Sequence, residues 1–486
     1  MSDQSVVATV FVVALFMDIM DATIVNTALP AIGKELHQST AQLVWVVLGY
    51  LLSLAIWIPA SGWIGDHFGT KRTFLFALFM FTAASVLCGS AHSVNELTAY
   101  RFLQGVGGGM LTPIGTAMLF RAYPPAQRAR ASAILIVPTL IAPALGPVLG
   151  GYLTDGPGWR WIFYVNAPIG ALAFLFGLWR LKENRHESPG KFDPAGFILS
   201  AVSIASTLYA LNQAETLGFL ATRVVIFGLV GIFGAVALVL VEMKVTEPML
   251  ALRLFRERLF RTTNLVSVFS NGSFFGLLLL MPLMLQDVRH LSAAQSGLTT
   301  FPQALGVIAA SQLVRKLYPK IGPRRLLAAG LGGSCLTMLT LQLTTLGTDL
   351  WYFRTMLFVR GLCMAFVFIP LQASTMARVA PPDIARGSAI GSTNRQVSNS
   401  LAVGALVAML VAQFHKIPAT LHAAGAHGLS QQVLLYNAFK VPFFWTSAFA
   451  AIGAAWALWI HDEDAAATMA PRTAPAVSPA PSRETN

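Results

Sequence analysis

The sequence predicts an all-α polytopic membrane protein of 14 transmembrane helices, arranged as two six-helix halves with two extra helices between them. Three observations carry this. Hydrophobic residues make up 55% of the 486-residue chain against 11% charged, too little polar surface to keep such a chain in water. A spanning helix needs about 20 mostly apolar residues, and stretches of that kind recur along the whole length. The pattern of motifs also repeats across the middle of the chain.

In chain order the stretches lie near Val6–Leu29, Gln42–Ile64, Phe74–Ser90, Leu97–Phe120, Ala131–Leu153, Ile162–Leu181 and Ala195–Leu211. The second set lies near Val224–Val241, Thr262–Leu285, Gly297–Leu317, Leu326–Leu346, Phe353–Met376, Gly387–Ala412 and Val441–Ile460. Span 1 lacks a basic start and carries two aspartates, so it is not a cleavable signal peptide. Span 5 holds P-T-L-I-A-P-A-L-G-P-V-L-G-G-Y-L (Pro138–Leu153). Interior prolines of this density would break a soluble helix, but in a membrane neighbouring helices re-satisfy the freed carbonyls. Gly146, Gly150 and Gly151 are expected to let a second helix approach closely.

The repeat joins Gly62–Arg72 (G-W-I-G-D-H-F-G-T-K-R), after span 2, to a weaker echo at Arg315–Arg325, after span 10. R-F-L-Q-G-V-G-G-G-M from Arg101 in span 4 is echoed by V-R-G-L-C-M from Val359 in span 12. Residues 1–190 therefore read as the first half, 191–245 as the extra pair and 246–461 as the second half. Residues 462–486, rich in Ala, Pro and charge, read as a disordered cytoplasmic tail.

The net charge of +12 does not point to nucleic acid. Of the 33 Lys and Arg, 23 fall in loops or at span ends on one side and 7 on the other, so the positive-inside rule places both termini in the cytoplasm of a cell whose plasma (inner) membrane the chain is expected to cross. Cys88, Cys335 and Cys363 fall within spans and read as reduced packing residues. The longest outward segment, Gln413–Lys440, carries His415, His422 and His427; their irregular spacing without Cys or acidic partners reads as a solvated loop, not a metal site. No phosphate-binding loop occurs for an ATP-driven pump, and Gly105–Met110 lies inside a span, where it cannot serve as a dinucleotide loop. No catalytic cluster, cofactor motif or obligate protein partner is evident, so neither an enzyme nor a cofactor-bearing protein is expected.

Several motifs now stand in a recognisable order. Gly62–Arg72 is similar to the signature loop of the major facilitator superfamily, and Pro138–Leu153 resembles the span-5 motif of its antiporters, with Ala142 in place of the first glycine. The motif around Arg101 is similar to the span-4 motif of the drug:proton branch. Phe16–Pro30 (F-M-D-I-M-D-A-T-I-V-N-T-A-L-P) and Trp159–Gly170 resemble signatures of the 14-helix members of that branch. His67 and Thr70 depart from the usual loop, and Arg360 aligns with Gln104 instead of Arg101. The resemblance implies the major facilitator fold and a multidrug efflux permease that exchanges protons for drugs, with small molecules, protons and the lipid bilayer as its partners.

Asp18 and Asp21 are costly in a membrane core and so are functional candidates. They lie roughly 18 and 23 Å into a ~30 Å core and share one helix face. The resemblance assigns Asp21 to proton coupling; the alternative for both is a structural pair bonded to Asn26, Thr23 or backbone. Arg101 reaches a similar depth and cannot practically deprotonate, so it can tune an acid but not carry the proton. A substrate cavity is expected to draw on Asp18, Asn26, Gln104, Asn394 and Arg395, with Arg395 either a cavity charge or snorkelling to the cytoplasm. Asp66, near Lys71, Arg72, Arg128 and Arg130, reads as the centre of a conformational latch with Gly62 and Gly69, which the resemblance places against the start of span 13 near Gly387. Pro147 belongs with the span-5 glycines.

The residues favour an exporter of hydrophobic, cationic compounds; export of a lipid or native metabolite, or a non-transporting membrane sensor, are the other readings. The topology yields a first test. Single cysteines at Ala126 and Ser188 are expected to react with an impermeant maleimide only from the cytoplasm, and a His427→Cys substitution only from outside. External labelling of Ser188→Cys would overturn both orientation and span count.

Overall fold

The computed structural model describes residues 2–38, 40–184, 190–218, 220–245, 248–424 and 429–469. Among the described residues there is no strand. Fourteen helices of 15 residues or more follow one another: α1 (Asp3–Glu35), α2 (Thr40–Phe68), α3 (Thr70–Gly89), α4 (Val94–Ala122), α5 (Arg128–Asp155), α6 (Asn166–Arg180) and α7 (Pro194–Leu217). Then come α8 (Thr222–Glu242), α9 (Arg258–Leu283), α10 (Pro302–Ile321), α11 (Pro323–Thr340), α12 (Leu350–Thr375), α13 (Ile384–Ala424) and α14 (Leu429–Ala457). They match the apolar stretches in number and order. Eleven helical segments are by length and hydropathy alone sufficient to cross a membrane. Of the others, α4 and α10 are diluted by their own chemistry: Arg101, Gln104 and a glycine run in α4, Arg315, Lys316 and Lys320 in α10.

The packing repeats with an offset of eight helices. In the first half α4 lies against α2 and α3, and α1 against α5; in the second, α12 lies against α10 and α11, and α9 against α13. Glycine permits the matching crossings. A Cβ on Gly105 of α4 would stand 2.6 Å from the Tyr50 carbonyl oxygen of α2, and one on Gly361 of α12 would collide with the Gln303 carbonyl of α10. Backbones at that distance gain dispersion contacts that lipid cannot match.

The extra pair is not a detached appendage. The helix α7 packs against α8, and also touches α2 of the first half and α13 of the second. Trp45 stacks on Tyr209 at 5.9 Å, Trp57 meets Phe197 at 5.7 Å, and Ala55, Ile204 and Leu208 form a small buried cluster beside Val397. By contrast α8 turns Ile226, Ile232, Phe233 and Val236 outward, as a lipid-facing helix does.

Two expectations change here. Residues 462–469 are structured, not part of a disordered tail. Asp462 accepts from the Arg324 backbone N–H at 2.9 Å, Asp464 pairs with Arg378 at 2.7 Å, and Thr468 shares a 2.6 Å hydrogen bond with Tyr318. These bonds at helix ends outweigh the polar composition of the segment. The expected loop Gln413–Lys440 is likewise mostly helical, because α13 runs to Ala424 and α14 begins at Leu429. Tyr436 and Phe439 are buried there, and Tyr436 donates to Thr344 Oγ1 at 2.6 Å, which anchors the extra turns. Residues 470–486, Ser188, His427 and the side chains of His415, His422 and Pro147 lie outside the described residues.

Span 5 behaves as a contact helix against α1. A Cβ on Gly146 would run into Thr23 Oγ1, and one on Gly150 into Thr27 Oγ1 and, at 2.9 Å, the Ile24 carbonyl. Gly151 has nothing within 4 Å of that position, so it is not a contact glycine. Gly146→Leu is therefore expected to insert and remain folded while losing most transport, since overpacking costs about 1–3 kcal/mol and α1 must move aside. Membrane abundance and transport in vesicles measure this; normal transport in Gly146→Leu would reduce the contact to ordinary packing.

Candidate functional site

Asp18 and Asp21 sit one turn apart on α1, and the structure separates their surroundings. Asp21 is fully buried. Its Oδ2 pairs with Arg101, while Oδ1 accepts from Gln104 Nε2 at 2.9 Å and from Asn166 Nδ2 at 3.0 Å. Arg101 also donates to Gln104 Oε1 at 2.8 Å and lies over the Tyr50 ring, 4.3 Å from its centroid. Asn166 donates as well to Ser85 Oγ at 3.1 Å. A single carboxylate thus joins α1, α4 and α6, with α2 and α3 attached through Tyr50 and Ser85.

Among the described residues Asp18 meets only neutral donors, the Tyr50 hydroxyl at 2.5 Å and Thr112 Oγ1 at 3.4 Å, and it lines a cavity of about 320 Å³ between the two halves. Tyr50 is the link between the acids: its hydroxyl holds Asp18 and its face covers Arg101, which holds Asp21. The first-half wall is largely apolar, with Phe11, Leu15, Leu54, Ile58, Phe120 and Leu135. The second-half wall is rich in hydrogen-bonding groups: Asn264, Ser267, Asn271, Gln372, Gln396 and Asn399, with Arg395 among them. Of the two positions expected for Arg395, the structure has it lining the cavity.

Three of the expected cavity residues lie elsewhere. Gln104 is sealed in the Asp21–Arg101 cluster because its amide accepts from Arg101 and donates to Asp21. Asn394 faces away from the lumen and binds the Asn264 carbonyl at 2.9 Å, tying α13 to α9. Asn26 is exposed, outside the cavity lining. The second half repeats the buried arginine without its acid: Arg360, fully buried, donates to Gln303 Oε1 at 3.1 Å and to the Ser273 carbonyl at 2.9 Å.

The end of the bundle where α2 passes into α3 and α4 into α5 is closed by contacts between the halves. Asp66 pairs with Arg121 of α4 at 2.9 Å and lies 3.8 Å from Arg386 at the start of α13. Gly62 lets that helix approach, its missing Cβ lying 3.0 Å from the Arg386 Cα. Arg128 donates to the Met376 carbonyl across the same seam. Lys71 and Arg72, expected beside Asp66, instead present their backbone N–H groups to Glu183, at 3.0 and 3.2 Å. A carboxylate at the positive end of α3 is the reason. Gly69, at φ +94°, makes the turn into α3 in a conformation that side chains resist. Arg121 and Arg386 both come to Asp66 from helix ends distant in the chain.

Sequence reading missed Tyr50, Asn166, Thr112, Arg121, Arg386 and Glu183. Each is a polar residue within or just beyond an apolar stretch, which was a signal, but the pairings depend on which faces meet.

Helices repeated about a central cavity, with charges kept for its wall and seam, define a membrane transporter. The chain matches the Major Facilitator Superfamily over residues 11–405 and belongs to that family. It is 34% identical over 417 residues to the multidrug resistance protein B homolog of Mycobacterium tuberculosis (strain ATCC 25618 / H37Rv), covering 84% of this chain and 76% of that protein. With the putative multidrug resistance protein MdtD of Pectobacterium atrosepticum it shares 32% identity over 431 residues, covering 87% and 89%. The human organic anion transporter MFSD10 (TETRAN) shares the fold, at TM-score 0.64 and 15% identity over 94% of this chain and 100% of that one.

The seam generates a prediction about Asp66. Asp66→Asn is expected to reduce transport turnover several-fold, with equilibrium affinity for substrate changing little, because Asp66 contacts Arg121 and Arg386 and not the cavity. Loss of binding at unchanged turnover would contradict that division.

Proposed function

We propose that the protein is a proton-coupled antiporter of the plasma membrane, exporting hydrophobic, cationic compounds by alternating access, with both termini in the cytoplasm. The observation that carries this reading is the separation of the two aspartates: Asp18 stands on the cavity wall, while Asp21, one turn away, is shielded from it by Arg101, Gln104 and Asn166. Tyr50 couples the two, so a cation arriving at Asp18 alters the field felt at Asp21. An acid whose only cationic partner is an arginine can release that partner on taking up a proton, whereas the arginine stays charged throughout.

The cavity volume of about 320 Å³ lies at the lower end of the range that holds drug-sized molecules, about 300–1,000 Å³, which favours small amphiphiles over diacyl lipids. The relatives named as multidrug resistance proteins support the same substrate class. With Asp66, Arg128 and their partners closing that end of the bundle, loading alternates with movement of the halves about the cavity. Each proton entering down a 100 mV potential would supply about 2.3 kcal/mol to that cycle.

The two aspartates give the test. In proteoliposomes, Asp21→Asn is expected to abolish substrate-driven proton release for every substrate while passive exchange persists. Asp18→Asn should weaken cations and spare neutral compounds, because it alters only interactions that depended on the cavity charge. Reversed phenotypes would exchange the two roles, and full proton-coupled transport in the double variant would defeat the mechanism.

A further inference from the structure

The cavity holds two opposite charges that do not pair with each other. Asp18, on α1, is the sole carboxylate among its lining residues, and Arg395, on α13, the sole cation. A guanidinium offers five N–H donors, and among the described residues Arg395 uses one, on Ser392 Oγ at 3.2 Å, with no carboxylate at ion-pair distance. Asp18 likewise has hydroxyl partners only. Charges withdrawn from bulk water without an opposite partner are costly, so both groups stand ready for a ligand that supplies one.

A purely cationic cargo would satisfy Asp18 but add positive charge to a compartment that already contains Arg395. A purely anionic cargo would satisfy Arg395 and face Asp18. A molecule carrying both charges leaves neither uncompensated. From this arrangement we infer that the favoured substrate is a zwitterionic amphiphile: a cationic group against Asp18, an anionic oxygen group in the Arg395 fork, and an apolar body along Phe11, Leu15, Leu54 and Ile58. The planar fork suits a carboxylate, which it can hold through two parallel bonds. The inference rests on the cavity being the transport site, and it narrows the class of cargo that site takes. Arg395 is thereby a specificity-determining residue supplied by the half opposite Asp18.

The experiment uses the full-length protein in nanodiscs and two dyes differing in one group: a cationic rhodamine methyl ester and the same dye with its ester hydrolysed to the free carboxylate. Fluorescence anisotropy gives both affinities. The native protein is expected to favour the free acid. In Arg395→Gln the acid should weaken by roughly tenfold while the ester tightens, reversing the order, since a lost charge-assisted bidentate contact is on the scale of one decade in Kd. Arg395→Lys, which keeps the charge but not the fork, should fall between. Ester binding shows that each variant is folded. The inference is overturned if the native protein favours the ester, or if the acid-to-ester affinity ratio does not fall in Arg395→Gln. Failure of both dyes to bind the native protein overturns this inference and the transport-site reading together; binding of the ester alone overturns only this one.

Discussion

A charge inside a membrane protein must find its compensation within the protein, and the arrangement around Asp21 follows from that requirement. Its carboxylate takes three donors, from Arg101, Gln104 and Asn166, and the arginine in turn lies on Tyr50. Breaking a buried pair of this kind by removing one partner costs about 3–5 kcal/mol, because the survivor stays buried and charged. The cluster therefore fixes how α1, α4 and α6 meet and leaves Asp18 facing the cavity. Arg360 in the second half is tied instead to an amide and a backbone carbonyl, so the repeat preserves the helix geometry without the acid.

The remaining charges divide by position. Among the described residues, Asp18 and Arg395 on the cavity wall have no oppositely charged side chain at ion-pair distance, whereas Asp66 on the seam is paired and Arg128 is bonded to a carbonyl. Such a division suits a molecule with two arrangements of rigid halves. The seam pairs are buried, so parting the halves must give each of these charges water or a new partner. The α7 helix, which touches both halves, adds apolar contact along this seam instead of another charge.

Membership in the Major Facilitator Superfamily accounts for the shared frame, and 34% and 32% identity over most of the chain carries it to relatives named for multidrug resistance. The fold alone is shared with MFSD10 at 15% identity, so the cavity chemistry of this chain rests on its own residues. Those residues set one acid against one arginine across the lumen.

The number and order of helices were determined by local sequence, because about 20 apolar residues have no stable conformation in lipid other than a helix. The same local rule marked Asp18, Asp21, Arg101 and Arg395 as costly and hence purposeful. The close crossing of Gly146 and Gly150 was legible too, from small residues at four-residue spacing, while Gly151 fell on the opposite face. Tertiary structure alone decided the pairings. Gln104 could have faced cargo, but a neighbouring carboxylate and arginine claimed both ends of its amide. Asp66 could have paired with nearby Lys71 and Arg72, but Glu183 holds their backbone and the seam brings Arg121 and Arg386 instead. Residues 462–469 are held by Arg324, Arg378 and Tyr318, contacts that the segment's polar composition does not reveal. Hydropathy is additive along the chain and can be read from it, whereas a hydrogen-bond partner depends on which helix faces meet, and that is set by the packing of all the helices together.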